Sequence, residues 1–155
     1  MRKPFVALPV LLLASGLLVT TGCGPVWMLP GGSLAGPVEP APEDWSFSDA
    51  TDVVQLETRP EDPYSVNIWG VGIGKHFYVA AGEASSSAWA ANLSEAPDVR
   101  LKIGESVYEL RAVRVEDAVE IEACLAALKR KYDFEPKPEQ RSSAAVFRLE
   151  PRAGG

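Results

Sequence analysis

Few side chains in this 155-residue sequence have types and spacings that could do chemistry, and each has a plainer reading beside it. Gly70-x-Gly72-x-Gly74-Lys75 suggests a phosphate loop, in which the N–H groups of a glycine-rich turn and a following Lys cradle an anion. The spacing disagrees: Trp69 stands where the first Gly belongs and His76 where Ser or Thr belongs. Lys75 also takes the place of the third Gly of a dinucleotide fingerprint. A glycine-rich hairpin turn accounts for the segment. His76 is the single histidine, which argues against a metal site built on imidazoles. As a catalytic base it would stand at a strand start, where a solvent-facing turn residue is the alternative. Ser85, Ser86 and Ser87 offer hydroxyls without a base at readable spacing, and helix capping explains them. Cys124 shares an apolar helical stripe with Ile121 and Leu128, the place of a buried thiol. Tyr78 and Trp89 could wall a planar ligand or pack in a core.

Cys23 is the residue whose context is most specific. Arg2 and Lys3 precede an apolar run from Phe5 to Val19, and Thr20-Thr21-Gly22-Cys23 closes it with small residues. The run is shorter than the ~20 residues a spanning helix needs, which fits a cleaved signal. The ending resembles the bacterial lipobox, with Thr20 where Leu is usual. That resemblance implies a signal peptide over residues 1–22 and acylation of Cys23 at the mature N-terminus. The chain would then be lipid-anchored in the bacterial cell envelope, on the periplasmic or extracytoplasmic side. Gly24 after the cysteine resembles an outer-membrane sorting context. Disulfides are permitted there, yet the mature chain keeps only Cys124 besides the anchor. Loss of Arg2 and Lys3 leaves 13 basic against 21 acidic residues, a net charge of −8. That balance argues against nucleic acid and anionic lipid as partners.

Residues 23–44 read as a lipidated cysteine and a Pro/Gly-rich tether. Gly24 to Glu43 holds five prolines and four glycines in twenty residues, with no period that could build a core. Its one apolar cluster, Trp27-Met28-Leu29, suits either the lipid interface or an isolated apolar spot. The folded domain is expected over residues 45–152, enough chain for one core, with a disordered tail at 153–155. Val53–Thr58 reads as a strand, and Arg59-Pro60-Glu61-Asp62-Pro63 stops it. Tyr64–Val71 and His76–Ala81 form a hairpin through the glycine-rich turn. The short helix SAWAANL ends before Pro97. Val99–Ile103 and Val107–Val115 form a second hairpin, and Asp117 caps a helix carrying Ile121, Leu125, Leu128 and Tyr132. A Pro/Lys linker, Glu135–Glu139, leads to a last strand, Ala144–Leu149. The pattern predicts a β-rich α+β domain: a six-stranded split β-barrel with two helices packed outside.

Tyr78, Val79, Ala81, Trp89, Asn92, Leu93, Pro97, Val99, Leu101, Ile103 and Gly104 set a pattern that Tyr108, Ala112, Val115, Lys131 and Tyr132 continue. A closing V-x-R-L-x-P runs from Val146 to Pro151. Over roughly residues 51–151 this resembles the split β-barrel deazaflavin-dependent nitroreductases, relatives of the pyridoxamine-phosphate-oxidase-like flavoproteins. The resemblance implies a cleft for FMN or a deazaflavin. Arg59, Ser65, Asn67, Ala81, Gly82, Ser86, Ser87 and Trp89 would stand around the cofactor, and the chain would form a homodimer. The family's basic loop departs here, since Glu61 and Asp62 follow Arg59 and would repel a phosphate. Two readings follow. One is a cofactor-free binding or interaction module on a flavoprotein scaffold, the favoured one. The other is a flavin- or deazaflavin-dependent oxidoreductase of the nitroreductase or quinone reductase type. No catalytic residue is assigned under either.

Overall fold

The computed structural model describes residues 27–82 and 87–152. The signal segment, Cys23, Ser86 and the 153–155 tail lie outside the described residues. Eight strands are present among them: β1 (Val38–Glu39), β2 (Val54–Thr58), β3 (Tyr64–Ile68), β4 (Gly70–Ile73), β5 (His76–Ala81), β6 (Asp98–Ile103), β7 (Ser106–Arg114) and β8 (Ala145–Pro151). Three α-helices accompany them, α1 (Ala88–Glu95), α2 (Ala118–Tyr132) and α3 (Pro138–Ser143), and a 3-10 turn spans Ser46–Ala50.

The main sheet runs β3-β2-β6-β7-β8-β5-β4, all antiparallel, and β1 pairs in parallel with the start of β7. Its two edge strands, β3 and β4, are separated in the chain by Trp69 alone. The sheet must therefore curl until its edges meet, which makes the half-barrel. The expected α+β split barrel is observed, with a different count. Tyr64–Val71, expected as one strand, bends at Trp69 and pairs at opposite ends of the sheet. The third helix starts at the end of the expected Pro/Lys linker and runs on towards the last strand; Pro138 takes its first position and Gln140 accepts from the Lys137 N–H.

Both expected hairpins form. Gly74 and Gly104 open two-residue turns at φ 55° and 60°, in the left-handed region that favours glycine. Alternation sends Leu56, Val79, Leu101, Leu110, Phe147 and Leu149 into the barrel. Trp45 enters the same core at the Gly74 end, its backbone N–H donating to the Gly74 carbonyl at 2.9 Å. Helix α1, following β5, inserts Ala90 and Leu93 into that core. Ser87 stands at its N-cap without a side-chain capping bond, contrary to the capping expected of it; Ser85 and Ser86 lie outside the described residues. On the outer face of β4, β5 and β8 lies α2, burying Cys124 and Ala127 against Val71, Tyr78 and Val146. Asp117 caps α2 as expected, accepting from the Glu120 N–H at 2.8 Å.

The remaining outer face, on β3, β2, β6 and β7, is covered by an arm formed by residues 27–44. Of the residues 23–44 expected as a tether, those described, 27–44, lie on the barrel ahead of Trp45. Gly31 makes a backbone bridge to Ser65, and Val38 and Glu39 pair with Val107 and Tyr108. Leu34 is buried. Gly and Pro deprive the arm of a period of its own, so its backbone groups find partners on the barrel instead.

Candidate functional site

Outward-facing polar residues of the covered strands converge on one ion pair. Glu57 on β2 is 2 % exposed and stands opposite Arg100 on β6. Its Oε2 accepts from Arg100 Nη1 at 3.0 Å and from the Leu34 N–H at 2.6 Å. Arg100 Nη1 also donates to the Leu34 carbonyl at 2.9 Å, and Lys102 Nζ to the Ala35 carbonyl at 2.7 Å. The pair thus clamps the arm. A buried carboxylate needs such donors to offset its desolvation.

Further along the same face, Ser65 is fully buried, and its hydroxyl donates to the Gly32 carbonyl at 2.7 Å. Asn67 donates through Nδ2 to the Trp27 carbonyl at 2.7 Å and accepts from Gln55 Nε2 at 3.3 Å. The resemblance implies a cofactor contact for both; in this structure both have arm residues as partners. The arm enters at Trp27, beside the bend between β3 and β4. Trp69 at that bend is 46 % exposed, stacked on Tyr132 with ring centroids 4.6 Å apart and edge-on to Phe134 at 5.7 Å. Two hollows flank it. One, of about 810 Å³, is lined by Trp27, Met28, Val53, Asn67, Ile68, Trp69 and Ala80. The other, of about 210 Å³, lies between Trp69 and Ala80 and the α2–α3 side, where Leu125, Leu128, Phe134 and Gly82 line it. Together they form one apolar groove with Trp69 as its ridge.

Below the ridge, the bend is held by the closing residues of α2. Lys131 Nζ donates to the Gly70 carbonyl at 3.0 Å and the Ser48 carbonyl at 2.8 Å. The Tyr132 hydroxyl donates to the Gly70 carbonyl at 3.0 Å and accepts the Gly70 N–H at 3.1 Å. Lys131 and Tyr132 thus have a positioning role. Burial lowers the Lys131 pKa and raises that of Tyr132.

The other expected site residues are dispersed. Arg59 takes φ 55° in its turn, pairs with Asp62 at 3.2 Å and lies over the Tyr64 ring. Ala81 is buried in the barrel, and Trp89 packs edge-on to Phe147 in the same core. Ser87 starts α1 and Gly82 borders the smaller hollow. Of the expected residues, Asn67 and Gly82 alone reach the groove among those described. The aromatic wall does not form, because Tyr78 lies on the opposite sheet face. There its hydroxyl donates to Glu120 at 2.8 Å, and Arg148 reaches both Glu120 and Glu150 at 2.6 Å. Burial first and the Glu120 contact second push the Tyr78 phenol up to about 12. His76 is half-buried beside Tyr78, and its pKa is lowered, first by burial and then by Arg148. Burial pushes the Cys124 thiol up to about 12, in keeping with its place on the apolar helical stripe. Among the described residues, no cluster of three or more His, Cys, Asp or Glu could hold a metal.

Sequence reasoning misses Trp69 and Val53 as site residues. A signal is present for Trp69, which alternates in phase with Ser65 and Asn67 on an outward face.

The residues fit a flavin phosphate poorly. Arg59 is paired with a carboxylate, and Ser65 and Asn67 already serve the arm.

No protein-family model and no curated protein matches the sequence. Solved structures do. A putative pyridoxamine 5'-phosphate oxidase from Listeria innocua is 16% identical over 68% of this chain and 88% of its own, with TM-score 0.55. An F420-H2 dependent reductase is 19% identical over 64% of this chain and 95% of its own, with TM-score 0.54. A chain that forms a domain-swapped dimer is 19% identical over 64% of this chain and 81% of its own, with TM-score 0.54. At this identity the likeness is one of fold, and the expected resemblance is met at that level: the chain is a split β-barrel of the kind shared by pyridoxamine-phosphate-oxidase-like and deazaflavin-dependent reductase structures.

Proposed function

We propose that this protein is a bacterial envelope lipoprotein, anchored through acylated Cys23, whose split barrel works as a binding or interaction module without a flavin. The arm's hold on Ser65 and Asn67 carries the reading, because backbone carbonyls of the arm take up the donors of two residues that the resemblance puts at the cofactor. Arg59 faces the Asp62 carboxylate at 3.2 Å, a charge that opposes a phosphate at the same place. One exposed helix N-terminus, that of α1, adds only ~0.3–1 kcal/mol, against the roughly 8 kcal/mol that micromolar affinity requires. A shared fold does not carry its chemistry with it. No helix among the described residues is long and apolar enough to cross a membrane. Attachment in this reading is through the acyl chains.

The oxidoreductase reading is favoured by one observation, the groove of about 810 Å³ beside Trp69, a size common for small-molecule sites. Absorbance of the purified protein and titration with FMN and a deazaflavin separate the two. The module is expected colourless, with binding no tighter than about millimolar. Micromolar binding that weakens in Asn67→Ala overturns the module and restores the enzyme. The homodimer belongs to the same proposal, and sedimentation of the detergent-solubilised protein tests it.

A further inference from the structure

The groove around Trp69 gathers the largest cluster of exposed apolar side chains among the described residues. Trp27 is 83 % exposed, Met28 87 %, Leu29 69 %, Val53 48 % and Trp69 46 %. Patches of this kind mark interaction sites. Its position relative to the anchor narrows the occupant. Trp27 is fixed to the barrel by the Asn67 bond to its carbonyl, and Gly31 is bridged to Ser65. Trp27 follows Cys23 by only four positions, a span of at most roughly 14 Å. With the acyl chains of Cys23 in the hydrocarbon layer, and a headgroup layer ~5–8 Å deep, at most roughly 6–9 Å of spacer is left to the domain. The docked arm has used up the rest.

We infer that the groove formed by Trp27, Met28, Val53 and Trp69 is the membrane-docking face of the protein, resting in the headgroup region of the lipid surface to which Cys23 is anchored. This rests on the lipoprotein reading. Trp is suited to that depth, its ring apolar and its N–H able to meet water. The contact is apolar and not electrostatic, because a mature net charge of −8 gives an anionic surface no attraction. The lipid surface therefore fixes the orientation of the barrel, not merely its location.

The test uses the full acylated protein in vesicles of zwitterionic phosphatidylcholine brominated on its acyl chains near the headgroups. Trp27 and Trp69 emission is expected to be roughly halved, insensitive to salt, while that of core Trp45 is not. Trp27→Phe and Trp69→Phe assign the quenched component. Met28→Asp and Val53→Asp, both at exposed positions, are expected to reduce quenching while the protein still floats with the vesicles. Flotation without quenching of either tryptophan overturns the docking face and leaves the lipoprotein intact. Quenching unchanged in both Asp variants overturns it too. Tryptophans shielded from both bromolipid and aqueous iodide, in a dimer, overturn it by showing that a second copy covers the groove. A mature protein whose mass shows unmodified Cys23 overturns the lipoprotein reading itself, and this inference with it.

Discussion

Replacing Glu57 by Ala removes the carboxylate that holds both Arg100 and the arm. Glu57 is 2 % exposed and Arg100 17 %, so the pair is largely out of water. Removing one partner of a buried pair typically costs about 3–5 kcal/mol, since the survivor is left charged and unmatched. Arg100 keeps the Leu34 carbonyl at 2.9 Å, and Glu109 is 4.0 Å away, which places the cost near the low end. The Leu34 N–H also loses its acceptor. At about 3 kcal/mol, a domain of this size should lose ~10–15 °C in Tm. Thermal unfolding measures that, and amide exchange locates it: Leu34 and Gly31 should lose protection further than the inner strands β6 and β7. Glu57→Gln should fall between, keeping shape without charge. A double-mutant cycle with Arg100→Ala should return a coupling of ~0.5–3 kcal/mol. A Tm within about 3 °C of wild type, with arm amides as protected as before, would refute the clamp.

Gly70→Ala should destabilise by ~1–3 kcal/mol in denaturant unfolding, because its Cβ would lie 2.4 Å from the Phe77 ring and 3.1 Å from the Tyr78 carbonyl. Gly74→Ala meets no atom within 4 Å and should cost only the strain of φ 55°. Cys124 and Tyr78 both have raised folded pKa values, each about 12. Each therefore contributes stability that is complete below its ordinary pKa, near 9 and 10, and is lost as pH rises towards 12. Stability measured across that window should fall, and the fall should flatten in Cys124→Ala with Tyr78→Phe; an unchanged alkaline slope refutes the assignment. Native Cys124 should likewise resist alkylation until the domain unfolds.

The sequence alone determined the local elements. Gly74 and Gly104 set the hairpin turns, Asp117 started α2, and strand alternation separated barrel-facing Leu56, Leu101 and Leu149 from outward residues. These follow from backbone sterics and period, which act over a few residues. Tertiary structure decided what depends on distant partners. Tyr64–Val71 has the period of one strand, and only curling of the sheet divides it at Trp69. The burial of Glu57 depends on Arg100 and Leu34, 43 and 23 positions away, and nothing local to its strand announces it. Gly and Pro leave the arm no period to read, and its hydrogen bonds go to barrel strands and to side chains on them. The partners of Ser65 and Asn67 depend on tertiary structure for the same reason: the chain that covers them lies more than thirty positions earlier.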